Sequence, residues 1–311
     1  MGKVIAICKS EKRGTVKTQV PQVMLLQDHG LEGDAHAGNW HRQVSLLSLE
    51  RIEEFREKGV QVGFGDFGEN LVLQGYDLRS LPVGSRLRIG KALLEVTQIG
   101  KECHTHCQIY QQTGDCIMPR EGIFARVLES GLVSAGDMAV LEPMDPDRPF
   151  TAAWITLSDK GAAGSRTDES GPLLGKMLTD AGYEIVEHLL LPDGIEPLKS
   201  QLIRLADQRQ INVIFTTGGT GFSPRDLTPE ATEAACERKA PGIAEALRAY
   251  SLTKTPHAML SRGVSGIRGR TLIINLPGSP KAVRESLEYL LPSLGHGLGV
   301  LRGTDGECGR A

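Results

Sequence analysis

The sequence predicts two domains: a β-rich, barrel-like domain, and then an α/β domain with three layers and a mostly parallel sheet. The chain has 311 residues, enough for two domains at roughly 150 residues each. In the first half, short apolar segments alternate with glycine turns, which is typical of small barrels. In the second half, strands alternate with helices, as they do around parallel sheets. The run EPMDPDRP (142–149) has three prolines, so we predict domains 1–143 and 151–311 joined by a linker at 144–150.

Composition narrows the class of protein and of partner. The hydrophobic residues make up 40%, the charged residues 23%, and the formal charge is -3, which excludes a disordered chain and makes nucleic acid an unexpected partner. No apolar run approaches the ~18 residues of a membrane span, and no signal peptide is recognisable. We therefore expect a cytoplasmic protein that acts on small molecules, without nucleic-acid or membrane partners. Its 37 glycines must serve tight turns or a close approach to a ligand.

Five short segments of the first half are predicted strands, because each is rich in Val, Ile or Leu and is bounded by turn residues. They cover residues 4–8, 44–49, 70–73, 86–89 and 92–96. Two helices are predicted, at 50–58 and at 122–130. The second is predicted because Ile123, Val127 and Leu128 would share one helical face.

The second half is predicted to alternate strands with helices from its start to its end. The predicted strands cover residues 152–157, 184–191, 212–217 and 271–276. The first predicted helix begins at residue 170, and the last begins at Lys281. The three predicted helices between them cover residues 197–209, 229–236 and 242–250. In such a fold, ligands bind outside the carboxyl ends of the strands.

Small polar residues and glycines follow three of these strands. Glycine-rich turns after a buried strand let backbone N–H groups approach an anion, and the helix that begins at Lys281 aims its positive end at the same space. We predict a phosphate cradle, whereas the alternative is that these loops are only tight turns. The residues of the predicted cradle are Ser158, Asp159, Thr217, Gly218, Gly219, Thr220, Gly221, Gly278 and Ser279.

Two carboxylates, Asp193 and Asp226, are predicted at the same edge of the sheet. Acids beside a phosphate repel it unless a cation lies between them, and Mg²⁺ typically takes one or two carboxylates together with phosphate oxygens. Asp193 and Asp226 are therefore candidate metal ligands and catalytic residues. The structural alternatives are a turn before Gly194 for the first, and a helix cap with Ser223 for the second.

Several long motifs of the second half resemble the molybdopterin adenylyltransferase family, which includes MogA and the G domain of gephyrin. The matching stretches are 157–159, 168–172, TGGTGFSPRDLTPEA (217–231), 258–262, 266–269 and NLPGSP (275–280). The resemblance implies that AMP is transferred from ATP to the phosphate of molybdopterin, with release of pyrophosphate and with Mg²⁺.

The same resemblance assigns further roles. It implies that Asp193 and Asp226 hold the metal and that the glycine loop holds the nucleotide phosphates. Ser261 and Arg262, with Gly278 and Ser279, would bind the phosphate of molybdopterin, although Arg262 could equally be a surface arginine. The family's G domains are commonly trimeric, so a homo-oligomer is expected. A non-catalytic molybdopterin-binding scaffold is the alternative function.

Three of the six cysteines lie close together in the first half. The run CHTHC (103–107) suggests zinc, but on a strand its two cysteines would lie ~13 Å apart at ~3.3 Å per residue, and a second ligand pair is absent from the sequence. Cys116 is expected in a polar loop near Arg120, where a thiolate would be favoured. Cys8 and Cys236 fit buried apolar cysteines better.

The first half resembles the MOSC domain family over roughly residues 3–142. The matching stretches are GLEGDAH (30–36), 67–70, 81–90, 100–103 and 122–126. The resemblance implies sulfur carriage or molybdenum cofactor binding through a cysteine, with proteins of molybdopterin synthesis or molybdenum insertion as partners. The candidates are Cys103, Cys107 and Cys116. His36 and Asp34 would line the same pocket, unless Asp34 serves only a turn with Gly33.

Overall fold

The computed structural model describes residues 1–102, 110 and 114–304. The chain divides into two compact units, Met1–Asp145 and Pro146–Ala311. The division falls within the proline-rich run at which the sequence predicts a linker. Each unit has hydrophobic clusters of its own.

The first unit is built mostly of short strands. Its helical segments are α1 (Leu49–Glu57), α2 (Met118–Glu121) and a 3₁₀ turn at Leu78–Ser80. Its strands are β1 (Gly2–Lys9), β2 (Thr18–Val20), β3 (Gln22–Leu26), β4 (Gly30–Leu31), β5 (Val44–Ser48), β6 (Leu71–Gln74), β7 (Arg86–Ile89), β8 (Ala92–Ile99), β9 (Ile123–Glu129), β10 (Gly131–Ser134) and β11 (Met138–Glu142).

Seven of these strands close into a barrel, which confirms the predicted fold class of this half. Their order is β11-β7-β8-β9-β5-β6-β1, and β1 pairs back onto β11. Closure leaves none of the seven with an open edge. Strand β2 pairs with β1, while β10, β3 and β4 form a separate small sheet. The five strands predicted in this half correspond to β1, β5, β6, β7 and β8.

Strand β5 shows how the barrel is packed on both of its faces. Leu46 belongs to the cluster of buried side chains that includes Leu71 and Leu94, whereas its neighbour Leu47 belongs to a second cluster with Ile52 and Phe55 of α1. Neighbouring residues of a strand point to opposite faces. Helix α1 therefore covers the outer face of the strand while the barrel core fills the inner face.

The predicted helix at 122–130 is wrong, because these residues form strand β9. It pairs with β5 and with β8. Ile123, Ala125 and Val127 belong to the barrel core, whereas Phe124 belongs to the outer cluster. Apolar residues four positions apart fit a period of 2 as well as a period of 3.6. The spacing therefore did not decide between the two structures.

The second unit alternates strands with helices in the predicted order. Its strands are β12 (Thr151–Leu157), β13 (Glu184–Leu191), β14 (Val213–Thr217), β15 (Arg238–Lys239), β16 (Ser265–Arg268) and β17 (Thr271–Leu276). Its helices are α3 (Asp159–Ala162), α4 (Ser170–Asp180), α5 (Ile195–Asp207), α6 (Thr228–Ala235), α7 (Pro241–Leu252) and α8 (Pro280–Arg302), with a 3₁₀ segment at Pro256–Leu260.

Six strands form one sheet in the order β13-β12-β14-β17-β16-β15. The first four run parallel, and the last two are antiparallel to their neighbours. Ile214 packs in a cluster with α5 and α6, whereas Phe215 packs in another with α4, α7 and α8. Both faces of the central strands are therefore buried, which explains their continuous apolar sequence. The sequence did not predict β15 and β16, which have only two and four residues.

No helix in the described part of the chain is long and apolar enough to cross a membrane.

Candidate functional site

Three loops of the second unit meet at the carboxyl edge of its parallel strands, as the sequence predicts. They follow β12, β14 and β17. The hydroxyl of Thr217 donates to the carbonyl of Pro277 at 2.7 Å. A Cβ atom on Gly278 would lie 3.3 Å from the Cα of Gly218. The loops after β14 and β17 therefore pack backbone against backbone.

The loop after β14, residues 217–221, contains three glycines, Gly218, Gly219 and Gly221. Gly218 and Gly219 have φ angles of 98° and 65°. Residues that carry a side chain rarely adopt such angles. Helix α6 fixes the loop, because the Thr228 hydroxyl donates to the carbonyl of Gly218 at 2.9 Å. Among the described residues, the amides of Gly219 and Thr220 have no protein acceptor. Convergent free amides of this kind bind anions.

A cavity of about 560 Å³ opens beside this loop. Five predicted cradle residues line it: Ser158, Thr217, Gly218, Gly278 and Ser279. Ser279 caps the 23-residue helix α8, its hydroxyl accepting from the amide of Ala282 at 3.3 Å. The positive end of that helix dipole therefore faces the cavity. Ser158 also caps a helix, the short α3, through the amide of Gly161.

Asp168 and Ser170 also line this cavity, although they were not among the predicted site residues. The carboxylate of Asp168 accepts from the Thr156 hydroxyl at 2.7 Å and from the Gly171 amide at 2.9 Å. The hydroxyl of Ser170 donates to the carbonyl of Gly278 at 2.8 Å. Both residues join the start of α4 to the strand edge. Their position at the start of an apolar helix was the signal that could have identified them.

Asp193 and Asp226 approach the glycine loop at two of its glycines. A Cβ atom on Gly219 would lie 3.2 Å from Asp193 Oδ1, and one on Gly221 would lie 2.9 Å from Asp226 Oδ2. Burial raises the pKa of Asp193 above its ordinary value, and the negative charges of Asp159 and Asp226 raise it further. Two carboxylates are therefore brought close enough to repel each other, and only these glycines leave room for them.

Asp226 belongs to a turn and not to the first turn of a helix. Its Oδ2 accepts from the amide of Ser223 at 2.9 Å, and its own amide donates to the Ser223 carbonyl at 2.9 Å. The next helix, α6, begins at Thr228. Ser223 and Asp226 therefore close a local turn, and they do not cap helix α6.

The carboxylate pair is compatible with Mg²⁺ only if a ligand completes the coordination. Across residues 1–102, 110 and 114–304, no group of three or more His, Cys, Asp or Glu side chains could hold a metal ion. Mg²⁺ needs fewer protein ligands than this, since one or two carboxylates and substrate phosphates suffice. Asp193 Oδ1 and Asp226 Oδ2 lie beside Gly219 and Gly221 of the same loop, and carboxylate oxygens are ligands of the type that Mg²⁺ takes.

Arg262 and Asp159 bind other protein groups. The guanidinium of Arg262 donates to the carbonyls of Gly221, at 2.8 Å, and Asp226, and it pairs with Glu230. It thus fixes the end of the glycine loop, while Ser261 is half-buried beside it. Arg225 binds the carboxylate of Asp159 and lowers its pKa. The binding roles of Arg262, Ser261 and Asp159 stay predictions.

In the first unit, Asp34 holds together three segments of chain. Its carboxylate accepts from the Ser10 amide at 3.1 Å, from Lys17 Nζ at 3.2 Å and from Asn70 Nδ2 at 3.1 Å. Burial alone would raise the pKa of Asp34, but hydrogen bonds from His36 and the charge of Lys17 hold it well below the ordinary value. The turn interpretation is confirmed, since the Asp34 amide donates to the carbonyl of Leu31.

The proposed cysteine pocket is placed only in part. Cys103 and Cys107 lie outside the described residues. Cys116 lies in a loop near Arg120, as predicted, but its side chain is buried in the outer hydrophobic cluster. Arg120 also pairs with Asp115 at 3.0 Å. His36 keeps its ring partly exposed, with Nδ1 3.4 Å from Asp34 Oδ1.

Two further buried groups lie beside Asp34, at Cys8 and Glu69. Burial raises the pKa of the Cys8 thiol to about 12 and that of Glu69 to about 7. Glu69 is fully buried, and its Oε1 accepts from the Gly65 amide at 2.6 Å. Its Oε2 has no hydrogen-bond partner among the described residues. The predicted burial of Cys8 is confirmed, whereas Cys236 is only partly buried.

Comparisons with known proteins match each half to a different family. Residues 153–296 match a family described as a probable molybdopterin binding domain, and residues 33–140 match the MOSC domain. The molybdopterin adenylyltransferase of Helicobacter pylori is 38% identical over 151 residues, which are 48% of this chain and 86% of that protein.

Two other relatives match the same half. Gephyrin of Dictyostelium discoideum is 41% identical over 157 residues, which are 47% of this chain but only 22% of gephyrin. The crystal structure of MoaB from Thermus thermophilus is 47% identical, covers 50% of this chain and 97% of its own, and has a TM-score of 0.48.

Replacing Gly219 with alanine should weaken anion binding at the glycine loop. The φ angle is left-handed, and the added Cβ would lie 2.3 Å from Thr228 Oγ1, so the loop must shift. We expect pyrophosphate to bind about tenfold more weakly, the equivalent of one charge-assisted hydrogen bond. Isothermal titration calorimetry measures the affinity. Gly242→Ala, where no atom lies within 4 Å, is the control, and equal binding by both variants would exclude the loop as the anion site.

Glu69 should make the stability of the first unit depend on pH. A glutamate has an ordinary pKa of 4.5, so between this pH and about pH 7 the folded chain binds more protons than the unfolded chain. The free energy of unfolding therefore falls as the pH rises. Relative to Glu69→Gln, the wild type should lose up to about 3 kcal/mol between pH 5 and pH 8. Urea denaturation measures this difference.

The control for this experiment is Glu57→Gln, which changes an exposed residue of α1. A difference between wild type and Glu69→Gln that stays constant across the pH range would contradict the burial of an ionisable Glu69.

Proposed function

The chain belongs to the molybdopterin adenylyltransferase family through its second unit and carries a MOSC domain in its first, and on this premise we propose that it transfers AMP from ATP to the phosphate of molybdopterin. A phosphate oxygen of molybdopterin attacks the α-phosphorus of ATP. The bond from that phosphorus to the oxygen bridging to the β-phosphate breaks, and pyrophosphate leaves. The whole chain would thus act in molybdenum cofactor biosynthesis.

The observation that carries this proposal is the glycine loop with a carboxylate facing each of two glycines. A phosphate monoester is largely ionised at neutral pH, with a second pKa of roughly 6, so its attack hardly requires a general base. What the reaction requires is alignment and neutralisation of charge. Free amides and a cation held by carboxylates supply both.

Each chemical role falls to residues of this chain. Asp193 and Asp226 would hold Mg²⁺, which when bound neutralises the charge of the transferred phosphoryl group. The amides of Gly219 and Thr220 would bind nucleotide phosphates, with Arg262 fixing the end of that loop. Because the loop is already shaped by Gly218 and Thr228, little reorganisation would accompany binding.

The second substrate would occupy the cavity lined by Asp168, Ser170, Gly278 and Ser279. Its volume of about 560 Å³ lies in the range of ~300–1,000 Å³ common for small-molecule sites. The start of α8 favours a phosphate there. Asp168 offers acceptor oxygens to the N–H groups of a pterin ring.

We also propose a three-layer arrangement for the second unit, because it has hydrophobic clusters on both faces of its sheet. A homo-oligomer, specifically a trimer, and a cytoplasmic location stay predictions from the sequence. The alternative is a scaffold that binds molybdopterin without turnover. Such a scaffold gives Asp193 and Asp226 no role in catalysis.

Removing Asp226 should abolish transfer while leaving the fold intact. With ATP, Mg²⁺ and molybdopterin, we expect wild-type chain to release pyrophosphate and Asp226→Ala to release it at least about 100-fold more slowly, the usual loss when one charge-stabilising group is removed. A coupled pyrophosphate assay measures the rate. Asp180→Ala, an exposed aspartate paired with Lys176, is the matched control.

Two outcomes would contradict the proposal. Wild-type chain that binds molybdopterin but releases no pyrophosphate would favour the scaffold. Undiminished release from Asp226→Ala would remove the carboxylate pair from the reaction.

For the MOSC domain we propose sulfur carriage, with molybdenum cofactor binding as the alternative. The candidate carriers are Cys103, Cys107 and Cys116. The side chain of Cys116 is buried in a hydrophobic cluster, which limits the access of a sulfur donor and makes the first two the better candidates.

A persulfide on Cys103 or Cys107 is the expected product after exposure to a sulfane-sulfur donor such as a small-molecule persulfide. The cysteine thiolate takes the outer sulfur of the donor, and the rest of the donor leaves as a thiolate. Mass spectrometry of tryptic peptides locates the modification. The fully buried Cys8 serves as the internal control and should remain a plain thiol. Plain thiols at all three candidates would exclude carriage and favour cofactor binding.

A further inference from the structure

Arg225 joins three loops at the carboxyl edge of the second sheet. Its Nε and Nη2 donate to the two carboxylate oxygens of Asp159, at 3.0 and 2.8 Å. Nη2 also donates to the carbonyl of Asp193 at 2.7 Å. Arg225 itself immediately precedes Asp226. One side chain therefore connects the loops that follow β12, β13 and β14.

Asp159 carries this connection on to Asp193 through two reciprocal hydrogen bonds. The Asp193 amide donates to Asp159 Oδ1 at 3.0 Å, and the Asp159 amide donates to Asp193 Oδ2 at 3.1 Å. One carboxylate oxygen of Asp193 is thereby fixed, and its other oxygen lies toward Gly219. The orientation of Asp193 thus depends on where Asp159 is held.

We propose that Arg225 is a positioning residue that, acting through Asp159, fixes the Asp193 carboxylate relative to Asp226 for the metal–nucleotide complex. This inference rests on the proposed function. It assigns Asp159 to the support of Asp193 in place of the nucleotide contact that the sequence suggested.

The charges make this support necessary. The negative charges of Asp159 and Asp226 both act on Asp193. Carboxylates so placed repel one another, and this repulsion would separate the loops that carry them. The guanidinium of Arg225 binds the carboxylate of Asp159 and donates to the backbone carbonyl of Asp193. Arg225 also immediately precedes Asp226 in the chain. Two parallel bonds to one carboxylate give a direction that a single charge would not.

The position of the pair separates this role from an ordinary contribution to stability. The side chains of Arg225 and Asp159 are 59% and 45% exposed, and exposed ion pairs contribute little to folding. Their loss should therefore leave the fold intact and appear at the metal site. Supports of this kind typically change metal affinity by about 10- to 100-fold.

The test compares Mn²⁺ binding by Arg225→Gln, Asp159→Ala and the double variant, in the presence of a non-hydrolysable ATP analogue. Electron paramagnetic resonance measures free Mn²⁺. The matched control is Arg268→Gln, because Arg268 binds Asp207 through two bonds of 2.8 and 2.7 Å in the same unit. Binding of the analogue without metal and the melting temperature are measured on every variant.

We expect each single variant to bind Mn²⁺ about tenfold more weakly and the double variant no more weakly than either single one, because both remove the same connection. Metal-free binding of the analogue should not change, and Arg268→Gln should match wild type.

Three results would overturn the proposal. Arg225→Gln could match Arg268→Gln, the two losses could multiply to about 100-fold as independent sites do, or metal-free binding of the analogue could weaken, as expected if Arg225 contacts phosphate directly. A wild-type chain that binds no Mn²⁺ with the analogue would instead refute the proposed function, and the inference with it.

Discussion

The candidate site of the second unit depends on the close approach of two backbone segments. Gly218 and Gly278 come so near that a side chain on the latter would lie 3.3 Å from the Cα of the former. This contact places the free amides after β14 beside the start of α8. Free amides and the start of a helix both carry partial positive charge, which attracts anions.

A second constraint comes from the two acids that lie beside the same loop. Asp193 and Asp226 each face a glycine of the same loop. Burial and the like charges of Asp159 and Asp226 raise the pKa of Asp193, so this arrangement disfavours the ionised form of its carboxylate. Arg225 holds the loops in place but binds Asp159, and a divalent ion with its nucleotide would complete the balance of charge.

Much of this could be predicted from the sequence, and each failure has its own physical cause. The strand–helix order, the three loops and the two acids follow from local patterns, since parallel strands bring their ends to one edge. The bridge from Arg225 to Asp159 joins residues 66 positions apart, and spacing carries no information on such pairs. Strand β9 was missed because its apolar spacing fits two periods, and Cys116 because its polar neighbours pair with each other.

We propose that the α-phosphoryl group of ATP is transferred at the carboxylate-flanked glycine loop. This transfer can be followed directly with ATP labelled with ³²P at the α-phosphate, incubated with the chain, Mg²⁺ and molybdopterin. We expect the label to appear in a pterin product and unlabelled pyrophosphate to be released. Label recovered only in ATP, ADP or free phosphate, with molybdopterin bound but unmodified, would contradict it.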